Sequence, residues 1–483
     1  MAAEDRGVDR RTFLKGVGMA AMGIGTSSGS AGGRRPNVVI FHCHDLGQHL
    51  GCYGVPTVRT PNIDRFAQKG VRFARSYCTS PSCSPSRASL FTGRYPHNNG
   101  VMGLTHANFA WDLNPGERHL AQFLRNAGYR TCAVGVIHET HQKAERWGYE
   151  KHIPDARAAV AVEKAIAELR RLSAGGEPFY LWVGTIEPHR LPIPQEPGQP
   201  PGDQGFPGPG LEPDDKLGVY VPPYLVDTAP CRKELAGLQG AVRHVDEQFG
   251  RLLEAVERQG LAEETLVIFT TDHGIAMPRA KCNLYEPGVS IAFLLRYPAR
   301  SGWHGGVVRQ EMVSNIDVLP TLLDLAGIPK PANVQGQSLM PLLDGGPYEP
   351  REAVFTELTY HDYYDPKRAI RTETHKLIAN FSTAAAFMDP SQQWRPRSDT
   401  VTPPNHAVAY HPHLEMYDLR TDPWEQKDLA GEEAYAEVRN ELAARLLRFM
   451  EATRDPLLRG AVTSPHHRNT MALLRRSVRG NRR

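Results

Sequence analysis

Three things are scarce in this chain of 483 residues, and each absence narrows what it does. Charge of one sign is not in excess: 56 Lys and Arg stand against 53 Asp and Glu, a net +3, which gives no reason to make nucleic acid or a membrane surface the main partner. Any preference for an anion must be local. Long apolar runs are missing; the weakly apolar stretch 16–25 is too short to span a bilayer, so no integral membrane segment is expected. Paired cysteines are missing too. The seven thiols (Cys43, Cys52, Cys78, Cys83, Cys132, Cys231, Cys282) include no C-x-x-C, which speaks against a zinc knuckle or a disulfide framework, and their odd number leaves at least one free. What remains is an ordinary globular composition, 40% hydrophobic, with room for two or three domains.

The most informative stretch is Cys83-Ser84-Pro85-Ser86-Arg87, running on through Ala88-Ser89-Leu90-Phe91 to Thr92-Gly93-Arg94. Pro85 suits a first helical turn, where its missing N–H costs nothing and the free N–H groups of the turn make an anion site. Arg87, one turn inside, adds a planar fork that matches tetrahedral oxyanions. The pattern therefore sets a lone cysteine, a potential nucleophile, at an anion site.

Short continuous apolar runs of the kind buried in parallel sheets recur at 37–41, 131–134, 179–183 and 266–269. Between them lie helical patterns, the clearest over 232–259, with Leu235, Leu238, Val242, Val245, Phe249, Leu252 and Val256 at three- and four-residue spacing and Gly260 as the stop. The alternation implies an α/β sheet covered by helices on both faces. Ligands of such sheets bind beyond the carboxyl ends of the strands. There the four runs supply His44-Asp45, His138, Glu187-Pro188-His189-Arg190 and Asp272-His273. The proline- and glycine-crowded stretch 191–223 reads either as a rim over a cleft or as a solvated insertion. After Gly345 the texture changes to short segments rich in tyrosine, histidine and proline, and the chain ends in a basic tail, 466–483, expected to be unstructured.

Nearly the whole chain resembles the type I sulfatases, whose signature C-x-P-S-R followed by T-G-R is matched from Cys83 to Arg94. The resemblance implies an alkaline-phosphatase-like fold: a mixed, mostly parallel sheet sandwiched by helices over 34–345, and a smaller C-terminal antiparallel-sheet subdomain over 346–465. It implies that a formylglycine-generating maturation enzyme oxidises Cys83 to formylglycine. The hydrated aldehyde then attacks sulfur with one hydroxyl and expels sulfate by collapse of the other. Gly135-Val136-Ile137-His138 matches the family's G-K-x-H, making His138 the base; His189 and Lys281 would bind sulfate and assist the departing atom; Arg190 would contact a second anionic group or form a salt bridge. Arg87 completes the catalytic set.

A divalent metal is implied at His44, Asp45, Asp272 and His273, calcium in the family, where aspartate and asparagine are usual at 44 and 273. Imidazole suits zinc or manganese better, which leaves the metal open; without His44, the site rests on Asp45, Asp272, His273 and the formylglycine oxygen. Val136 stands where a lysine is usual. Shared stretches such as Pro188-His189-Arg190 and Asn283-Leu284-Tyr285 make the heparan N-sulfatase (sulfamidase) branch the closest likeness. The implied substrate is a sulfated or N-sulfated sugar of glycosaminoglycan type. The alternatives are a phosphonate or phosphate ester hydrolase on the same scaffold and a non-catalytic glycan-binding homologue. Finally, Arg10-Arg11-Thr12-Phe13-Leu14-Lys15 ahead of small residues resembles a twin-arginine export signal over 1–33, implying passage through export machinery, unless it is simply a basic N-terminus.

Overall fold

Every residue of strand β1 (Asn37–Cys43) is buried, and its side chains divide by parity between two cores. Val39 and Phe41 face one, Val38 and Ile40 the other, the period-2 signature of a strand covered on both faces. The computed structural model describes residues 35–106, 109–192, 204–383 and 410–480, which leaves the export-signal reading and residues 193–203 of the proline-rich stretch outside the described residues. Around β1 stand β2 (Val71–Tyr77), β3 (Arg130–Gly135), β4 (Lys151–Ile153), β5 (Phe179–Gly184), β6 (Thr265–Thr271), β7 (Phe293–Arg296) and β8 (Val307–Ser314). They form one sheet in the order β8-β2-β7-β6-β1-β5-β3-β4. All its pairings are parallel except the two that β7 makes, with β6 and β2. The mixed, mostly parallel sheet is as expected.

Helices cover both faces. α1 (Pro61–Lys69), α4 (Ala158–Ser173) and α5 (Ala229–Arg258) contribute Ile63, Leu169, Leu235, Val242 and Phe249 to one core. The other takes Leu90 of α2 (Cys83–Thr92), Leu124 of α3 (Leu120–Asn126) and Leu322 of α6 (Val318–Leu325). The long helix starts where Thr228 accepts a hydrogen bond from Cys231 N, with Pro230 in its first turn, and it buries each apolar residue of the predicted stripe.

Beyond residue 345, β9 (Ala353–Tyr360), β10 (Tyr364–Thr372), β11 (His375–Asn380) and β12 (Leu414–Asp418) make an antiparallel meander, and α7 (Ala436–Thr453) packs Leu442, Leu446 and Met450 on it. One difference lies at the end of the chain. The stretch expected to be an unstructured tail is helical from Pro465 to Gly480 (α8), its solvated residues keeping helical backbone through good helix formers such as Met471, Ala472, Leu473 and Leu474.

Candidate active site

β6, β1, β5 and β3 lie side by side, and the residues after their carboxyl ends converge with the mouth of α2. Asp45 leaves β1 in a left-handed conformation (φ 49°), which turns its N–H onto Asp272 Oδ1 at 3.0 Å. His273 N donates to the same oxygen at 3.0 Å. The other oxygen, Oδ2, receives Arg87 Nε and Nη2, both at 3.3 Å, and lies 2.9 Å from His44 Nδ1. Burial alone would raise the Asp272 carboxyl, but the charge of Arg87 and the hydrogen bond from His44 hold the group well below its ordinary range. Much of the fork of Arg87 is thus committed to Asp272, and Nη1 is its nitrogen left without a partner.

Cys83 opens α2, a helix buried along its whole length and fixed where Ser86 Oγ donates to Asp272 O at 2.6 Å and Asn315 Nδ2 to Ser86 O at 2.9 Å. Its Sγ lies 3.3 Å from His273 Nε2. Burial, with Asp272 and Asp45 adding to it against Lys281, pushes the thiol far up, so an unmodified Cys83 is held as a neutral thiol. Lys281 Nζ donates to Asp45 Oδ2 at 2.8 Å and to His189 Nε2 at 3.2 Å. His189 Nδ1 donates to the Arg190 carbonyl at 2.5 Å, which leaves Nε2 as the acceptor; burial and then Lys281 lower this imidazole to about 3. Burial would lower Lys281, but Asp45 outweighs it and keeps the ammonium charged. Asp45 in turn is pushed up by burial and held down more strongly by the Lys281 ammonium.

His138 reaches the cluster from β3, its ring centroid 5.7 Å from that of His44, and burial followed by His44 keeps it neutral. Its backbone N is tied to Glu139 Oε2 at 2.9 Å and its carbonyl accepts from Thr105 Oγ1 at 3.0 Å. Its Nε2 is hydrogen-bonded to His106 Nδ1. His106 was missed by sequence reasoning, since it follows no strand and belongs to no motif.

Of the two readings of Arg190, the salt bridge is the one its side chain makes. It is 2% exposed, and its guanidinium turns away onto Glu234 Oε2 of α5 at 2.8 Å and over the ring of Phe206. A buried guanidinium needs a fixed counter-charge, and Glu234 supplies it.

Several of these atoms suit a cation. Asp45 Oδ1 and His44 Nε2 are buried without hydrogen-bond partners, and His273, whose Nδ1 donates to the Gly274 carbonyl at 3.0 Å, aims the lone pair of Nε2 at Asp45 Oδ1, 3.4 Å away. His44, Asp45, Cys83 and Asp272 each bring a donor atom within 4.8 Å of the others. Burial lowers His44 to about 4 and lowers His273 as well, so both imidazoles are neutral, the state a ligand requires.

Comparison with known proteins gives the family. The family model described as Sulfatase matches residues 36–328, and one described as N-sulphoglucosamine sulphohydrolase, C-terminal, matches 278–393. Human N-sulphoglucosamine sulphohydrolase is 28% identical over 88% of this chain and 91% of its own length, and human arylsulfatase A 30% identical over 89% and 90%. Among solved structures, a protein in complex with its substrate D-glucosamine-2-N,6-O-disulfate is similar at a TM-score of 0.66 and 21% identity, covering 87% of this chain and 99% of that one. The phosphonate monoester hydrolase of Agrobacterium radiobacter is similar at 0.65 and 21%, covering 87% and 96%, which establishes a shared fold. With the family matched over well over half its length, the chain belongs to the sulfatase family and is a hydrolase of sulfate ester or sulfamate bonds.

Proposed function

We propose that the protein removes sulfate from a sugar, as an ester or an N-sulfate on a glycosaminoglycan-like substrate, with Cys83 matured to formylglycine. The observation that carries this reading is the convergence of Cys83, Arg87, Lys281, His189 and His138 on one buried point at the mouth of α2. The C-terminal match to N-sulphoglucosamine sulphohydrolase favours an amino sugar as the carrier of the sulfate. An aldehyde at position 83 supplies, as its hydrate, the hydroxyl that attacks sulfur and a second hydroxyl whose collapse releases sulfate.

The chain's own residues do the rest. Lys281 and the free Nη1 of Arg87 provide positive charge for the sulfate oxygens, standing in for the lysine that Val136 replaces. His138, neutral, accepts the proton of the attacking hydroxyl. The charged Lys281, oriented by its hydrogen bond to His189 Nε2, is the group from which the departing oxygen or nitrogen takes a proton back. Arg190 is a positioning residue that fixes the His189 turn to α5.

A divalent cation would be held by His44, Asp45, Asp272 and His273, and it would offset the negative charge of sulfate and nucleophile. The two imidazoles make zinc or manganese better suited than calcium. Export through the twin-arginine-type segment carries folded proteins, which suits a protein whose Cys83 must be modified by its maturation enzyme before it leaves the cytoplasm. The reading is tested by mass spectrometry of the Cys83 peptide after co-expression with a formylglycine-generating enzyme. The aldehyde should replace the thiol, and Cys83→Ala should abolish hydrolysis; full activity with an intact thiol would sink the mechanism.

A further inference from the structure

The last helix, α8, has no part in the site, yet it is the most unbalanced segment of the chain. Residues 465–483 hold six arginines (Arg468, Arg475, Arg476, Arg479, Arg482, Arg483) and no Asp or Glu, in a protein whose charges otherwise nearly cancel. Residues 466–477 are all exposed, including Arg468, Arg475 and Arg476. Arg468 and Arg475 are two turns apart, hence on one face. Among the described residues no carboxylate forms an ion pair with any of the three.

The root of α8 is tied to the segment that follows His106. His466 N donates to the Phe109 carbonyl at 3.2 Å, and Arg468 lies over the ring of Trp111 at 5.9 Å. Phe109 follows three residues after His106, the partner of His138. The rings of Phe109 and Trp111 both pack on Tyr360, whose hydroxyl donates to Val462 O at 2.6 Å. The helix therefore starts beside the segment that carries His106 and, at 16 residues, is about 24 Å long, with residues 466–477 exposed.

We propose that α8 is a docking track for the polymeric form of the substrate: a sulfated polysaccharide lies along its arginines while one of its sugars occupies the site. This rests on the sulfatase reading above. Charge complementarity carries the choice, because guanidinium forks match sulfate groups and the catalytic centre is itself built for sulfate. An anionic lipid surface is less favoured. Met471, Leu473 and Leu474 are exposed, but the helix has no Trp, Tyr or Phe to seat in an interface.

The test uses the matured full-length protein, a variant carrying Arg475→Gln, Arg476→Gln and Arg479→Gln, and a second with lysine at the same three positions. Three measurements are made: heparin affinity across a salt series, sedimentation with phosphatidylglycerol vesicles, and turnover of a small aryl sulfate. The glutamine variant should bind heparin about tenfold more weakly with a flatter salt dependence, and the lysine variant should keep most of the affinity. Aryl sulfate kcat and KM should be the same in all three proteins. Equal heparin affinity in wild type and glutamine variant overturns the proposal, as does vesicle binding without heparin binding. Loss of aryl sulfate turnover in the wild type would strike the sulfatase reading alone, leaving the binding result to stand or fall by itself.

Discussion

On our proposed match of Gly135–His138 to the family's G-K-x-H, Val136 stands where a lysine is usual, and its backbone is held independently of its side chain. Gly135 before it has φ 89°, and a Cβ there would lie 1.8 Å from the Gly184 carbonyl, so only glycine fits. Val136 N donates to that carbonyl at 2.8 Å, and Val136 O accepts from Trp182 Nε1 at 2.9 Å. Val136→Lys therefore changes a half-buried side chain on a fixed frame. If the side chain faces sulfate, turnover of an aryl sulfate should rise by up to about tenfold, the effect of roughly 1.4 kcal/mol gained only in the transition state. Measured beside it, the melting temperature separates this from a closed pocket, where desolvating the ammonium would lower stability. If neither quantity moves, position 136 does not face sulfate.

The metal also belongs to the residue scale. With two neutral imidazoles and the unpartnered Asp45 Oδ1 as donors, elemental analysis should find a transition metal at least as readily as calcium. Asp272→Ala should lose metal and activity together. A His44→Ala, His273→Ala double variant that retains stoichiometric calcium would show that neither imidazole is a ligand.

At the scale of elements, the four central strands and α5 were legible because each carries its own signal: an unbroken apolar run, or a stripe at helical period. The residues that follow those strands were legible for the same reason, since a parallel sheet delivers its carboxyl ends to one edge. What escaped was set by distant parts of the chain. β7, four residues long and the single antiparallel member of the large sheet, gives no periodic signal. The direction of Arg190 is decided by Glu234, and that of His138 involves His106, neither of which is near in sequence or part of a motif.

The junction of α1 and α5 shows the same long-range control. Thr60 makes no side-chain cap, and Asp246 of α5 instead accepts from Asn62 N at 3.0 Å and Ile63 N at 2.7 Å. Burial raises this carboxyl from 3.8 to about 6 despite those bonds. A raised folded value means that the stability it contributes is complete below about pH 4 and is lost as pH rises through 6. Asp246→Asn cannot ionise. Between pH 4 and 7 the stability difference should therefore move in favour of the variant, by up to about 3 kcal/mol. Denaturant unfolding at several pH values measures it, and a pH-independent difference would refute it.

At the scale of the whole molecule, the change of texture near residue 345 suggests a boundary, but the chemistry running across it ties the two sheets together. Val354, Leu358, Ala369, Ile378 and Tyr417 of the C-terminal sheet share one core with Tyr77, Leu284, Tyr285, Val289 and Met312. Lys376 Nζ, buried, lies 2.9 Å from Glu286 Oε1 and 2.8 Å from Glu425 Oε1 and donates to Leu284 O at 3.0 Å. Glu425 Oε2 accepts from Glu286 N, and Tyr285 Oη donates to Glu415 Oε2 at 2.7 Å. The segment 284–289, three residues beyond Lys281, is thus anchored by the C-terminal sheet. Lys376→Met would leave the buried Glu425 facing Glu286, which keeps Arg371, a loss of about 3–5 kcal/mol for breaking such a network from one side. Because the core is shared, the variant should shift a single calorimetric transition downward as a whole, and it should weaken aryl sulfate turnover by loosening the Lys281 loop. Two separate transitions, with the smaller alone displaced and turnover intact, would show instead that the C-terminal sheet unfolds on its own and leaves the site untouched.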